Sequence, residues 1–355
     1  SENEMRNEEG GTLKRWIGYE HGINLGGWLS QCPPSVEHYD HFIQKEDFAK
    51  ISQWNGVDHV RIPISYELLT DRDGNWKKEG FERLHTITEW CQEYHFNLII
   101  DLHKCRGYSF DPDEQETGLF EREDYRQQFL ALWEEIAKQF ANNEHIAFEL
   151  LNEIVEEKNK DNWNALALKC IQRIRKYAQD TKILVGSYWN NSMATVKDLL
   201  LPPDENIVYN FHCYAPLVFT HQGASWVEGM KSDFRIDLHH TIEEFRQMTQ
   251  EMMPYELGTF RAVSDCNRAF DETYFEELFK SAINTAKERN VALYCGEYGV
   301  ISFAKDTDIL EWYTMIHRVF EKYHIGRAAW TYKGMYYDIA GEHLDAVRKE
   351  LNQVL

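Results

Sequence analysis

Residues 146–154, IAFELLNEI, decide how the chain is read. Ile146, Phe148, Leu150 and Leu151 form an apolar run too short for an ordinary helix, so the stretch reads as a buried β-strand. It ends on Asn152-Glu153. Burying a carboxylate without a partner costs several kcal/mol, so Glu153 needs a role beyond packing or must turn to solvent. Residues 291–300, VALYCGEYGV, repeat the design, with Glu297 near the C-terminal end of a second apolar run. Two such strands suggest two carboxylates facing each other across one cleft.

Working outward, further strands are expected at 23–29, 59–64 and 97–103 upstream, and at 182–187, 206–214 and 326–332 downstream. The two glycines in INLGGWL, 23–29, predict a close approach of that backbone to a neighbour. Helical spacing lies between the strands: Phe81, Leu84, Ile87 and Trp90; then Tyr125, Phe129, Leu132, Trp133, Ile136 and Phe140; then Trp163, Leu166, Cys170, Ile174 and Tyr177. Eight short apolar strands alternating with helices predict a parallel sheet. Eight units in 355 residues suit an α/β fold of the closed (β/α)8 TIM barrel type. No G-x-G-x-x-G follows the first strand, which speaks against a dinucleotide fold.

The expected organisation is a flexible arm over 1–15 and a single catalytic domain over 16–355, with an insertion at about 215–268 between strands six and seven. Within it, 236–253 reads as an extra helix, while 270–287 supplies the regular barrel helix. The insertion starts at the strand-six end and carries Trp226, so it is expected to cover part of the cleft; decoration of the flank is the plainer alternative.

The net charge of −21 argues against a nucleic-acid partner and disfavours an anionic membrane surface. No apolar run is long enough to span a bilayer. Residues 1–11 lack the apolar core of a secretion signal. Seven cysteines, an odd number with no C-x-x-C pair, read as free thiols in a reducing compartment, so a cytoplasmic location is expected unless a signal has been removed. Cys295, two residues before Glu297, is expected to share its face as a packed thiol. No cofactor is implied, and no metal: His-Glu-x-x-His is absent, and His239 and His240 would point about 100° apart on a helix.

In parallel barrels the site gathers at the C-terminal ends of the strands. Those ends carry Arg61, His103, Asn152-Glu153, His212, Tyr214, Glu297 and Trp330. Each has a plain alternative: Arg61 as partner of a structural acid, the histidines as satisfied core residues, the aromatics as packing. Their order resembles glycoside hydrolase family 5, the cellulase-like retaining β-glycosidases. The likeness runs from about residue 23 to 332 and departs at Ile154, where that family commonly has proline. GINLGGWL is similar to the first strand of the exo-β-1,3-glucanase branch.

The resemblance implies a retaining glycosidase with Glu297 as nucleophile and Glu153 as acid/base, the carboxyl groups ~5–5.5 Å apart. It further implies that Arg61 and Tyr214 support Glu297. Asn152 would contact the sugar 2-hydroxyl, and His103 and His212 would bind hydroxyls or orient the carboxylates. Trp330 would lie beneath the sugar. A glycan cleft also needs aromatic platforms for apolar sugar faces. Trp28 and Trp189 are the first candidates, followed by Trp226, Tyr66, Tyr332, Tyr336 and Tyr337. The expected partner is a β-linked glucan oligosaccharide, and the expected activity is a β-glucanase of cellulase type. An exo-acting β-1,3-glucanase or β-glucosidase is the alternative. From another class, a carbohydrate-binding barrel without catalysis is disfavoured by the presence of both glutamates.

Overall fold

In the computed structural model, which describes residues 12–355, eight parallel strands close into a barrel. They are β1 (His21–Asn24), β2 (His59–Ser65), β3 (Asn97–Cys105), β4 (Ile146–Glu149), β5 (Ile183–Gly186), β6 (Ile207–Cys213), β7 (Ala292–Tyr298) and β8 (Gly326–Ala329). Each pairs with its sequence neighbours, and β1 pairs with β8 to close the ring. A two-residue strand, Tyr108–Ser109, turns back antiparallel on the end of β3. This is the (β/α)8 barrel that the alternating pattern predicts.

The wall helices bury the stripes read from the sequence. In α1 (Glu123–Phe140), Tyr125, Phe129, Leu132, Trp133, Ile136 and Phe140 are all buried. In α2 (Lys160–Arg175) the stripe stops at Ile174, because the helix ends one residue later; Tyr177 lies beyond it and is exposed, contrary to expectation. Between β5 and β6 the wall is a 3₁₀ segment, Met193–Asp198, rather than a full helix.

Residues 12–15, expected within the flexible arm, are tied to the barrel floor. Leu13 is buried, Lys14 bridges to Ala292, and the Lys14 ammonium donates to the Glu205 carbonyl. Just after them, Trp16 and Tyr19 stack at 3.9 Å and close the bottom of the barrel. Residues 1–11, the remainder of that arm, lie outside the described residues.

Side chains alternate along each strand between barrel interior and helix layer. On β3 Leu98, Ile100 and Leu102 face the helices, whereas Ile99 joins the floor with Ala147, Leu184, Val208, Ala292, Tyr294 and Ala328. β7 breaks this rhythm. Phe211 pairs with Cys295 but His212 pairs with Glu297, so Gly296 is an extra residue in the ladder. The bulge turns Cys295 outward into the helix-layer core and Glu297 into the barrel mouth, so the two do not share a face as expected. Gly296 is required there: a Cβ would sit 2.7 Å from Asn210 and 3.1 Å from the His212 ring.

The insertion holds an extra helix, α3 (Ile242–Met252), followed by a 3₁₀ segment, Pro254–Phe260. The regular barrel helix is α4 (Glu272–Arg289). The wall then continues with α5 (Asp306–Tyr323) between β7 and β8. Among the described residues no helix is long and apolar enough to cross a membrane.

Candidate active site

Arg61 is the hub of the barrel mouth. Its position on β2 faces inward, and its guanidinium is fully buried. Nε and Nη2 clamp Glu149 at 2.8 and 2.7 Å, and Nη2 also lies 3.0 Å from Asp101. Nη1 donates to Glu297 and to Asn24, each at 2.9 Å, while Nη2 donates to Asn152 at 3.1 Å. The two readings of Arg61 are thus both realised: it pairs with structural acids and with a strand-end glutamate at once. Burial pushes the Asp101 and Glu149 carboxyls up to about 7, opposed by the charge of Arg61.

Glu297 accepts from Arg61 at Oε2 and from the Tyr214 hydroxyl at Oε1, 2.7 Å away. Both of its oxygens therefore face donors. Glu153 stands on the loop after β4, with a backbone φ of 43°. Asn190 donates to its Oε1 at 3.0 Å, and His212 Nδ1 lies 2.5 Å from its Oε2. Burial nevertheless raises the Glu153 carboxyl above its ordinary value. The two carboxylates and His212 place their nearest donor atoms within 4.8 Å of one another. Such a trio has the donors for a divalent cation, but Arg61 already supplies positive charge to Glu297 at 2.9 Å.

Both histidines sit in matching cradles. His103 lies 2.6 Å from Asp101 through Nδ1 and 3.2 Å from the Asn152 amide through Nε2. His212 repeats this with Glu153 and, at 3.3 Å, Asn191. These partners assign the Nδ1–H tautomer to each ring. Burial lowers both, His212 to about 4, so near neutral pH they orient carboxylates without adding charge.

Trp330 closes the floor of the mouth, its ring parallel to that of His103. The close approach predicted at the first-strand glycines is to this ring: a Cβ on Gly26 would sit 2.4 Å from it. Trp189 and Trp226 stand at the rim, each about half exposed (51%). The Trp189 and Asn190 amides donate to the Val155 and Ile154 carbonyls, which ties that rim to the loop bearing Glu153. Trp189, Asn190 and Asn191 all adopt left-handed backbone, a conformation asparagine tolerates well.

Trp28 does not reach the mouth. β1 ends at Asn24, and the Trp28 ring is buried against Phe48 with its Nε1 donating to the Tyr39 carbonyl. Tyr66 and Tyr332 are likewise buried, their hydroxyls donating to Glu116 and Asp47; Tyr337 is buried beside the mouth, packed with Trp330 and Tyr214, its hydroxyl donating to the Thr220 carbonyl. Asn24, Asp101, Glu149, Asn190 and Asn191 were not singled out from the sequence. For Asp101 and Glu149 the signal was present, as lone acids inside apolar strands.

A family model described as cellulase, glycosyl hydrolase family 5, matches residues 14–335. The chain belongs to that family. It is 43% identical to cellodextrinase A of Ruminococcus flavefaciens, over 86% of this chain and 83% of that protein. It is 35% identical to endoglucanase C of Acetivibrio thermocellus, over 96% of this chain and 98% of that one. Among solved structures, endoglucanase Cel5A of Thermotoga maritima superposes with a TM-score of 0.73 at 23% identity, over 95% of this chain and 97% of that one. This family member is a glycoside hydrolase: a retaining β-glucanase that cleaves β-glucosidic bonds by double displacement.

Proposed function

We propose that Glu297 is the nucleophile and Glu153 the acid/base, and that the preferred substrates are short, soluble, β-1,4-linked glucose oligosaccharides. The observation that carries the roles is the pair's unlike surroundings at short range. Oxygens within 4.8 Å suit retention, since inverting enzymes hold their carboxyl groups ~6.5–9.5 Å apart to admit a water. Glu297, held by donors on both oxygens, is the carboxylate placed to attack the anomeric carbon. Glu153, raised by burial, gives its proton to the leaving oxygen, and as a carboxylate then takes one from water. Neutral His212 holds Glu153 in place through both steps. One N–H of Asn152 is spent on His103, and the other is free for the sugar 2-hydroxyl.

The first part of the insertion supports the substrate-length reading. Ala224 packs with Ile301, Trp330 and Tyr337, His221 fits between Tyr214 and Tyr337, and Trp226 lies 5.4 Å from Tyr336. It thus walls one side of the mouth and offers Trp226 as a sugar platform, while Trp189, on the loop after β5, offers a second. A relative named cellodextrinase agrees with short chains. The seven cysteines are all unpaired and five are buried, which supports a reducing compartment.

The test is turnover of cellotetraose against insoluble cellulose, with products separated by chromatography. Higher turnover per enzyme on the soluble chain is expected, with β-anomeric product seen early by NMR. A rapid fall in viscosity of a long soluble glucan with few small products would overturn the substrate reading, and an α-anomer the assignment of roles.

A further inference from the structure

We propose a second, non-catalytic site: a divalent transition-metal site of zinc type, formed by His239, Asp308 and Glu311, that fastens the insertion to the barrel wall. The expectation of no metal at the adjacent histidines assumes that 239 and 240 lie on a helix. They do not: the segment is irregular, and α3 starts only at Ile242, after the Thr241 cap. Freed from helical geometry, His239 turns to α5, whose residues 308 and 311 share one face at i and i+3.

His239 Nε2 lies 2.9 Å from a Glu311 oxygen, and one donor atom from each of the three residues falls within 4.8 Å of the others. A tetrahedral zinc ion with bonds of about 2.0–2.1 Å holds its ligands about 3.3 Å apart, so small rotamer changes bring these atoms into range. A plain ion pair between His239 and Glu311 accounts for two of the residues but not for the third. Asp308 is only 3% exposed, and its Oδ2 is buried with no hydrogen-bond partner among the described residues. A buried carboxylate oxygen left unpaired costs stability, and a cation at this cluster satisfies it.

The donor set gives the class. Two carboxylates alone would suit magnesium or calcium, whereas the imidazole shifts preference to zinc and its neighbours. Three protein ligands leave a fourth position for water. His239 belongs to the insertion and both acids to the wall, so the ion would bridge the two. Asp237 and His240, 3.2 Å apart, stand beside it, with His240 also 2.6 Å from Glu244.

The experiment uses the full chain, stripped with chelator and gel-filtered, then titrated with zinc chloride and, separately, calcium chloride by calorimetry and with cobalt(II) by visible absorption. One zinc per chain is expected, with cobalt bands of a four-coordinate N/O site. His239→Ala and Glu311→Gln, both exposed or half-exposed changes that leave the core intact, should each weaken that site at least about tenfold. They should also abolish the zinc-induced rise in Tm while leaving metal-free turnover of an aryl cellobioside unchanged. Glu297→Gln separates the competing catalytic trio and should retain the zinc. The proposal fails if the wild-type chain takes up no zinc, if His239→Ala binds it as tightly as wild type, if calcium binds in preference, or if the ion is lost in Glu297→Gln instead.

Discussion

The same eight strands line two halves of one barrel interior, and the halves obey opposite rules. The lower half is an apolar plug of Ile99, Ala147, Leu184, Val208, Ala292 and Ala328 packed with Trp16, Tyr19 and Tyr294, its buried His59 held between Asp58 and the Tyr294 hydroxyl. The upper half, two residues further along, carries Asp101, Glu149 and Asn210 in place of Ile99, Ala147 and Val208. One guanidinium there serves three carboxyl groups at 2.7–3.0 Å. The floor is apolar surface removed from water and contributes stability. The mouth spends stability: a buried carboxylate is tolerated only where Arg61, an amide or a hydroxyl meets it. The same expense makes the two glutamates chemically unlike, since each is defined by which donors reach it.

That division is broken most severely at Glu297. Glu297→Gln should cut turnover on every substrate on the order of 10⁵-fold, because no covalent intermediate forms. Its Tm should stay near that of wild type, since the amide fits the same space. Glu153→Gln comes next. It should cost on the order of 10²–10⁴ in kcat/KM for cello-oligosaccharides, whose leaving group needs a proton. The cost on a nitrophenyl glycoside should be much smaller, since nitrophenol leaves readily without one. Steady-state kinetics on both substrates check this, and equal losses would remove Glu153 from the acid role.

The floor should respond in the opposite sense. Leu184→Ala leaves a cavity among fully buried neighbours and should cost about 2–5 kcal/mol in urea unfolding. Its kcat/KM, measured well below the new Tm, should remain at the wild-type level. A floor variant that lost activity in proportion to stability would show that the two halves are not separable.

Much of the mouth was legible because strand ends are short-range signals. A polar residue closing an apolar run has few places to go, and His103, Glu153, His212 and Glu297 all stand at or near such ends, whereas Arg61 is a lone charge within the apolar run of β2. What was not legible depended on geometry that a two-residue alternation does not carry. The Gly296 bulge reversed the face of Cys295 relative to Glu297. β1 stopped at Asn24 rather than continuing to Leu29, which sent Trp28 into the outer core instead of the cleft. Asn190 reaches Glu153 only because three successive residues take left-handed backbone; the Asn-Asn pair in YWNNS permits such a turn but does not say which way it points. Asp101 and Glu149 were visible as acids within apolar strands, yet their meaning required knowing that Arg61 lay inside the same ring.

Asn190 also supplies the finest test of the contrast between the halves, because it touches the acid/base without touching Arg61. Glu153 must be protonated to act as the acid, so activity falls as pH rises through its folded pKa, and burial places that fall above the ordinary glutamate range. The Asn190 amide donates to Oε1 and favours the ionised form, working against burial. Removing it in Asn190→Ala leaves burial less opposed, so the proton is held to higher pH. The basic limb of the kcat/KM profile should therefore move up, while Arg61 and Tyr214 still hold Glu297 in place. Profiles of wild type and Asn190→Ala on one cellobioside, measured at matched ionic strength, read the shift directly. A basic limb that stayed or moved down would mean that Asn190 does not act through Glu153.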